Sequence, residues 1–166
     1  MIAAYTDIIS LAQAKTYLRI DDTLNEDDSF ITSCINAALQ WIEKYTNHIL
    51  VEQNKEYFAS AVYDFCHDKR FDIYDFPIVS IIEPSDVDLI IKNKSYNTKS
   101  VIIIDDDVLE LNLGYDAVSD IPEPFIQAAF AIIQVWYYNS EKTIQSNLIP
   151  DSVKFAINPY RRFPIC

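Results

Sequence analysis

Apolar positions recur at helical spacing near both ends of the chain and at strand spacing between them. After Ser10, Leu11, Ala14 and Leu18 fall on one face, and Ser10 with Gln13 forms a capping-box pattern. A first helix is predicted from Ser10 to about Ile20, where Asp21-Asp22-Thr23 takes over. A longer helix is predicted from Asn25. Glu26, Asp27 and Asp28 fill its first turn, where the helix dipole favours negative charge. Ile31, Ile35, Ala38, Ile42 and Tyr45 line one stripe of it, and Phe30, Cys34, Ala37 and Trp41 a second. The two stripes together predict burial on more than one side. Asn47 is a C-terminal stop that tolerates left-handed backbone, and His48 just beyond it is placed to meet free carbonyls.

Residues 51–118 change character. Ile78–Ile82, Val87–Ile91 and Val101–Ile104 are β-branched runs, and Val108-Leu109-Glu110-Leu111-Asn112-Leu113 alternates at period two. Turn residues separate them at 83–86, 93–95 and 105–107. Helix returns at Asp120, where Asp120 and Glu123 resemble a capping box and Pro122 and Pro124 sit in the first turn. Phe125 to Tyr138 is apolar nearly all round and reads as a central helix or one shared with a neighbouring subunit. A last helix fits Pro150–Ile157, with Pro159 ending it. The expected fold is α+β, mainly α: a bundle of three to four helices with an inserted small antiparallel β element. It is read as one domain over 1–166, with helical parts at 8–50 and 120–158, the β insert at 51–118 and a C-terminal tail at 159–166.

Composition removes several functions. Gly114 is the one glycine among 166 residues, so neither a GxGxxG loop nor a Walker A loop can be written. Thirteen basic against 25 acidic residues give a net charge of −12, which opposes general nucleic-acid binding. The acid is concentrated in residues 51–120, with 6 basic and 15 acidic groups, while residues 121–166 carry 4 and 3. Cys34, Cys66 and Cys166 form no CxxC pair, which points to neither a zinc site nor a disulfide scaffold, and to a reducing compartment. The start of the chain lacks a basic, then apolar, leader pattern, and the apolar run 125–138 is too short to span a bilayer. A soluble protein made in a cytoplasm is expected, without a membrane partner.

Catalytic and metal chemistry finds little material. Cys66-His67-Asp68 are neighbours whose side chains would alternate across a strand, and Asp105-Asp106-Asp107 lacks the glycine and spaced ligands of a calcium loop. With two histidines, no catalytic residue, metal site or cofactor is assigned.

The segment from Ile9 through Lys15 and Arg19 to Asp21 resembles the opening helix of the head–tail connector (head-completion, or adaptor) proteins of tailed bacteriophages. The likeness continues in the acidic loop Asp21–Asp28 and in Glu43-Lys44-Tyr45-Thr46-Asn47-His48-Ile49-Leu50. It returns in Gly114-Tyr115, Ile121-Pro122-Glu123-Pro124, Tyr137 to Glu141, Ile149-Pro150 and Asn158-Pro159-Tyr160-Arg161-Arg162. The middle, 51–118, is longer and more acidic than the usual insert.

The resemblance implies a structural virion protein with no catalysis. Copies form a ring, commonly of twelve, beneath the portal protein; the ring meets the next tail or neck protein, and packaged DNA passes through it without sequence-specific binding. Synthesis would be in the host bacterial cytoplasm and residence at the head–tail junction of the virion. On that footing, Tyr160, Arg161, Arg162 and Phe163 are the expected portal-docking residues, being of the aromatic and arginine types enriched in hot spots. Truncation before Asn158 would then remove docking and spare the helices. Lys15 and Arg19 are expected to pair across the subunit boundary with acidic groups such as Asp21, Asp22, Asp27 and Asp28. Asp21, Asp22 and Glu26 are candidate channel-lining residues, because like charge lets DNA slide. Two other readings are a tail-completion or neck ring protein one layer further down, and an acidic adaptor or DNA mimic binding a basic host protein.

Overall fold

A computed structural model describes residues 2–58, 69–73, 75–84, 100–104, 108–139 and 149–162. Its elements run α1 (Tyr5–Ile8), α2 (Leu11–Leu18), α3 (Asp28–Thr46), β1 (Gln53–Phe58), β2 (Lys69–Ile73), β3 (Ile78–Glu83), β4 (Ser100–Ile104), β5 (Val108–Leu113), α4 (Glu123–Tyr138) and α5 (Asp151–Ile157). Short 3-10 turns at Val118–Asp120 and Asn158–Tyr160 flank α4 and extend α5. This is the mainly α, α+β class read from the sequence.

Ser10 caps α2 as expected: its hydroxyl accepts the Gln13 N–H, and the Gln13 side chain accepts the Ser10 N–H at 2.8 Å. A single turn, α1, precedes it that the sequence did not reveal; four residues are too few to show a period. The long helix begins at Asp28, three residues later than its acidic run suggests. Residues 21–27 are drawn instead into a loop around Lys15. Asn47 ends α3 with a φ of 57°, in the left-handed region foreseen for it.

The core lies where α3 packs on α4, which runs antiparallel to it. Ile31, Ile35, Ala38, Leu39 and Ile42 meet Phe125, Ala129, Ile132 and Ile133, all fully buried. The second stripe of α3 is divided: Cys34 is buried and Trp41 half-buried against the same core. Phe30 and Ala37 from the second stripe are exposed, with Ser33, Gln40 and Lys44 on the same open face. On α4 the open side carries Gln127 and Gln134. Its start also differs from the reading: Asp120 closes the 3-10 turn, and Pro122, which fixes its own φ, stands at the N-cap.

The insert is antiparallel. One sheet has the order β1-β5-β3; β2 and β4 pair separately. Leu109, Leu111 and Leu113 face a small second core with Ile49 and Ile73, as the period-two pattern of β5 dictates. Gly114 leaves β5 at φ +132°, where a Cβ would stand 2.8 Å from the Glu52 backbone, so the chain's only glycine occupies a place no side chain fits. The strand expected at 87–91, the acidic turn 105–107 and Cys66-His67-Asp68 lie outside the described residues. No helix among those described is long and apolar enough to cross a membrane.

Candidate assembly surfaces

One end of the bundle is a joint where three consecutive residues at the end of α3 hold the C-terminal segment. The Thr46 carbonyl accepts the Arg162 N–H at 2.9 Å, and Asn47 Nδ2 donates to the Arg162 carbonyl at 2.6 Å. His48, fully buried, contacts the Tyr160 carbonyl through Nε2 at 3.0 Å and the Tyr115 hydroxyl through Nδ1 at 2.8 Å. A carbonyl can only accept, so Nε2 carries the proton and Nδ1 accepts from Tyr115. Burial among Phe76, Phe125 and Tyr115 holds the imidazole down at a pKa of about 4, with the nearby Arg162 charge acting the same way, so it is neutral at pH 7. The Tyr160 ring meets the edge of Phe125, and Arg161 lies over Tyr45 at 4.7 Å.

This geometry corrects the place expected of Arg162. Its residue is 1% exposed, its guanidinium lies over Phe76 at 5.0 Å, and Nη1 reaches the Asp75 carbonyl. The side chain is part of the joint and does not stand out for a partner. Tyr160 and Arg161 are half-buried; Phe163 lies outside the described residues. His48 does meet a carbonyl, but one 112 residues away.

The opposite end, about 28 Å along α3 at 1.5 Å per residue, carries the acidic loop. Lys15 is 3% exposed there and ties the loop to its own chain. Its ammonium pairs with Asp28 at 2.5 Å and donates to the Leu24 carbonyl at 2.8 Å and to Asn25 Oδ1 at 3.3 Å. A cation so enclosed is not offered to a neighbouring subunit, so the intersubunit expectation is corrected for Lys15, and Asp28 is its partner. Arg19 remains exposed at φ 60°, as do Asp21, Asp22, Glu26 and Asp27. Thr23 hydrogen bonds, from hydroxyl and then N–H, hold the Asp21 carboxyl below its ordinary range. Asp27 accepts the Tyr137 hydroxyl at 2.6 Å, which pushes that phenol up to about 12. Tyr138, 62% exposed, and Phe30 flank this contact.

Sequence reasoning missed the Tyr115–His48–Tyr160 chain and the Lys15 clasp. Both join residues far apart in number, or across a loop, and neither has a periodic signature. Among the described residues no group of histidine, cysteine, aspartate and glutamate is arranged to hold a metal ion.

The described residues thus form an apolar two-helix core with an antiparallel insert, an acidic loop at one end and a buried joint at the other. Residues 8–66 match the model of the phage gp6-like head-tail connector protein family. The resemblance carried by the sequence is thereby borne out, and the family is one of connector proteins and not of enzymes. No curated protein matches the chain. The whole chain superposes on a chain from the neck of an empty gene transfer agent (GTA) particle computed with C6 symmetry, at TM-score 0.69 and 13% identity, covering 95% of that chain. A chain from the virion of a native GTA particle matches at TM-score 0.69, 14% identity and 95% coverage. One from the neck of a native GTA particle computed with C12 symmetry gives 0.67, 13% and 94%, again with this chain wholly covered. The likeness spans the described strands of the insert as well as the helices.

Proposed function

We propose that copies of this chain close a ring at the head–tail junction of a phage-like particle, beneath the portal, continuing the path of the DNA. The observation that carries this reading is full-length likeness to chains from symmetric necks, added to the connector-family match over the N-terminal helices. The chain is made in the host bacterial cytoplasm and joins the virion on assembly. Around the ring, exposed Arg19 of one copy meets Asp21, Asp22 or Asp27 of the next; opposite charges on different faces are what a heterologous ring contact needs. Asp21, Asp22 and Glu26, where they face the lumen, repel phosphate and keep the passage non-adhesive. Tyr160 and Arg161, on the outer side of the joint and followed by Phe163, form the portal contact, and the ring's far side receives the next neck or tail protein.

Mixing the purified chain with its portal and imaging the product by electron microscopy tests the reading. An annulus added to the portal is expected, commonly of twelve copies. Portal particles left bare, or a one-to-one complex with a basic DNA-binding protein in their place, would overturn it.

A further inference from the structure

An open groove of about 520 Å³ runs between α4 and α5, floored by Ala128, Ala131, Val153 and Ala156. Pro124, Gln127, Ser152 and the carboxylate of Glu123 complete its lining. That carboxylate accepts a bond from Gln127 at 2.8 Å, and no ion pair joins it to a cation among the described residues. Another face of α5 presents the opposite shape. Phe155 is 77% exposed, more than any other large apolar residue described, because at about 100° per residue it projects away from buried Val153 and Ile157. Lys154 beside it is engaged only in an exposed pair with Asp151 at 3.1 Å, a weak tie in water.

We infer that the groove is the seat for Phe155 of a second copy, with Lys154 of the partner subunit reaching Glu123. The inference rests on the ring reading above and names a contact within it. One chain supplies both halves, an aromatic knob beside a cation and an apolar groove beside an anion. They stand on different faces of α5. Complementary patches on different faces make a heterologous contact, which propagates around a ring. An unrelated occupant would fill the groove and leave Phe155 bare to water. A second copy covers both, burying an aromatic side chain of the kind that dominates interface energetics.

The test uses the full chain assembled on its portal, with the fraction in rings measured against protein concentration. Phe155→Asp is expected to raise the concentration needed for rings tenfold or more, while the circular-dichroism spectrum and melting temperature stay those of the parent. Glu123→Lys and Lys154→Glu should each weaken assembly, and the double reversal should recover it to within about threefold of the parent. As a second measurement, Ala131→Cys with Phe155→Cys should give an interchain disulfide ladder on oxidation, beyond any from the parent chain's own cysteines. Rings formed by Phe155→Asp at the parent's concentration, no recovery in the double reversal, or no added ladder would overturn this contact and leave the ring reading standing. A parent chain that makes no ring at all would overturn the ring reading itself.

Discussion

His48 enters the fold as a neutral imidazole fixed in one tautomer between Tyr115 and Tyr160. Its pKa falls from 6.5 to about 4 on folding, so between those values the unfolded chain binds the extra proton. The stability it contributes is therefore complete above about pH 6.5 and is lost as pH falls toward 4, by about 3 kcal/mol in all. Urea denaturation of the parent and His48→Gln at pH 7 and pH 4.5 should show the gap between them narrowing at the lower pH; a gap independent of pH would refute the assignment. Gly114→Ala meets both a positive φ and the Glu52 backbone, and should cost about 2–4 kcal/mol in the same assay. The glycine's scarcity was plain in the sequence, but its reason was not, since Glu52 approaches it from across the fold. Lys15 shows the same limit: its spacing on α2 was legible, yet a cation on a short amphipathic helix gives no sign of whether its partner is water, a neighbour or its own loop.

Among the elements, those with local signals were readable. The Ser10 capping box, the Ile31–Ile42 stripe, the left-handed Asn47 and the alternating leucines of β5 each encode their structure within a few residues. What failed depended on tertiary contact: the start of α3, displaced by the Lys15 clasp, and the C-terminal segment, read as a tail. That segment is a strap, anchored by Arg162 at both its N–H and its carbonyl and by Tyr160 through His48. Removing residues 158–166 is consequently expected to lower unfolding stability by about 2–4 kcal/mol, at about 1 kcal/mol per hydrogen bond plus the lost Tyr160 packing. Unchanged stability with lost portal binding would restore the view of a free docking tail.

At the scale of the whole molecule, the acidic, aromatic-flanked end and the strapped joint lie at opposite ends of α3, and the α4–α5 groove lies along the side. A protomer with different surfaces on different faces is suited to the heterologous contacts of a ring. Net charge alone pointed away from nucleic acid as ligand, but only the fold separates the ends. Arg19→Glu, which leaves the Lys15 clasp untouched, is expected to weaken ring formation at low salt and to have little effect near 0.5 M salt, where exposed charges are screened. Equal assembly of parent and variant at both salts, followed by light scattering, would remove Arg19 from the interface.

The central claim is that this chain acts by repetition at a particle vertex. Symmetry-averaged cryo-electron microscopy of intact particles at the head–tail junction tests it most directly. The account expects a closed annulus between portal and tail into which the α3–α4 bundle and its insert fit copy by copy. An annulus built from another protein, with this chain missing from the particle, would contradict it.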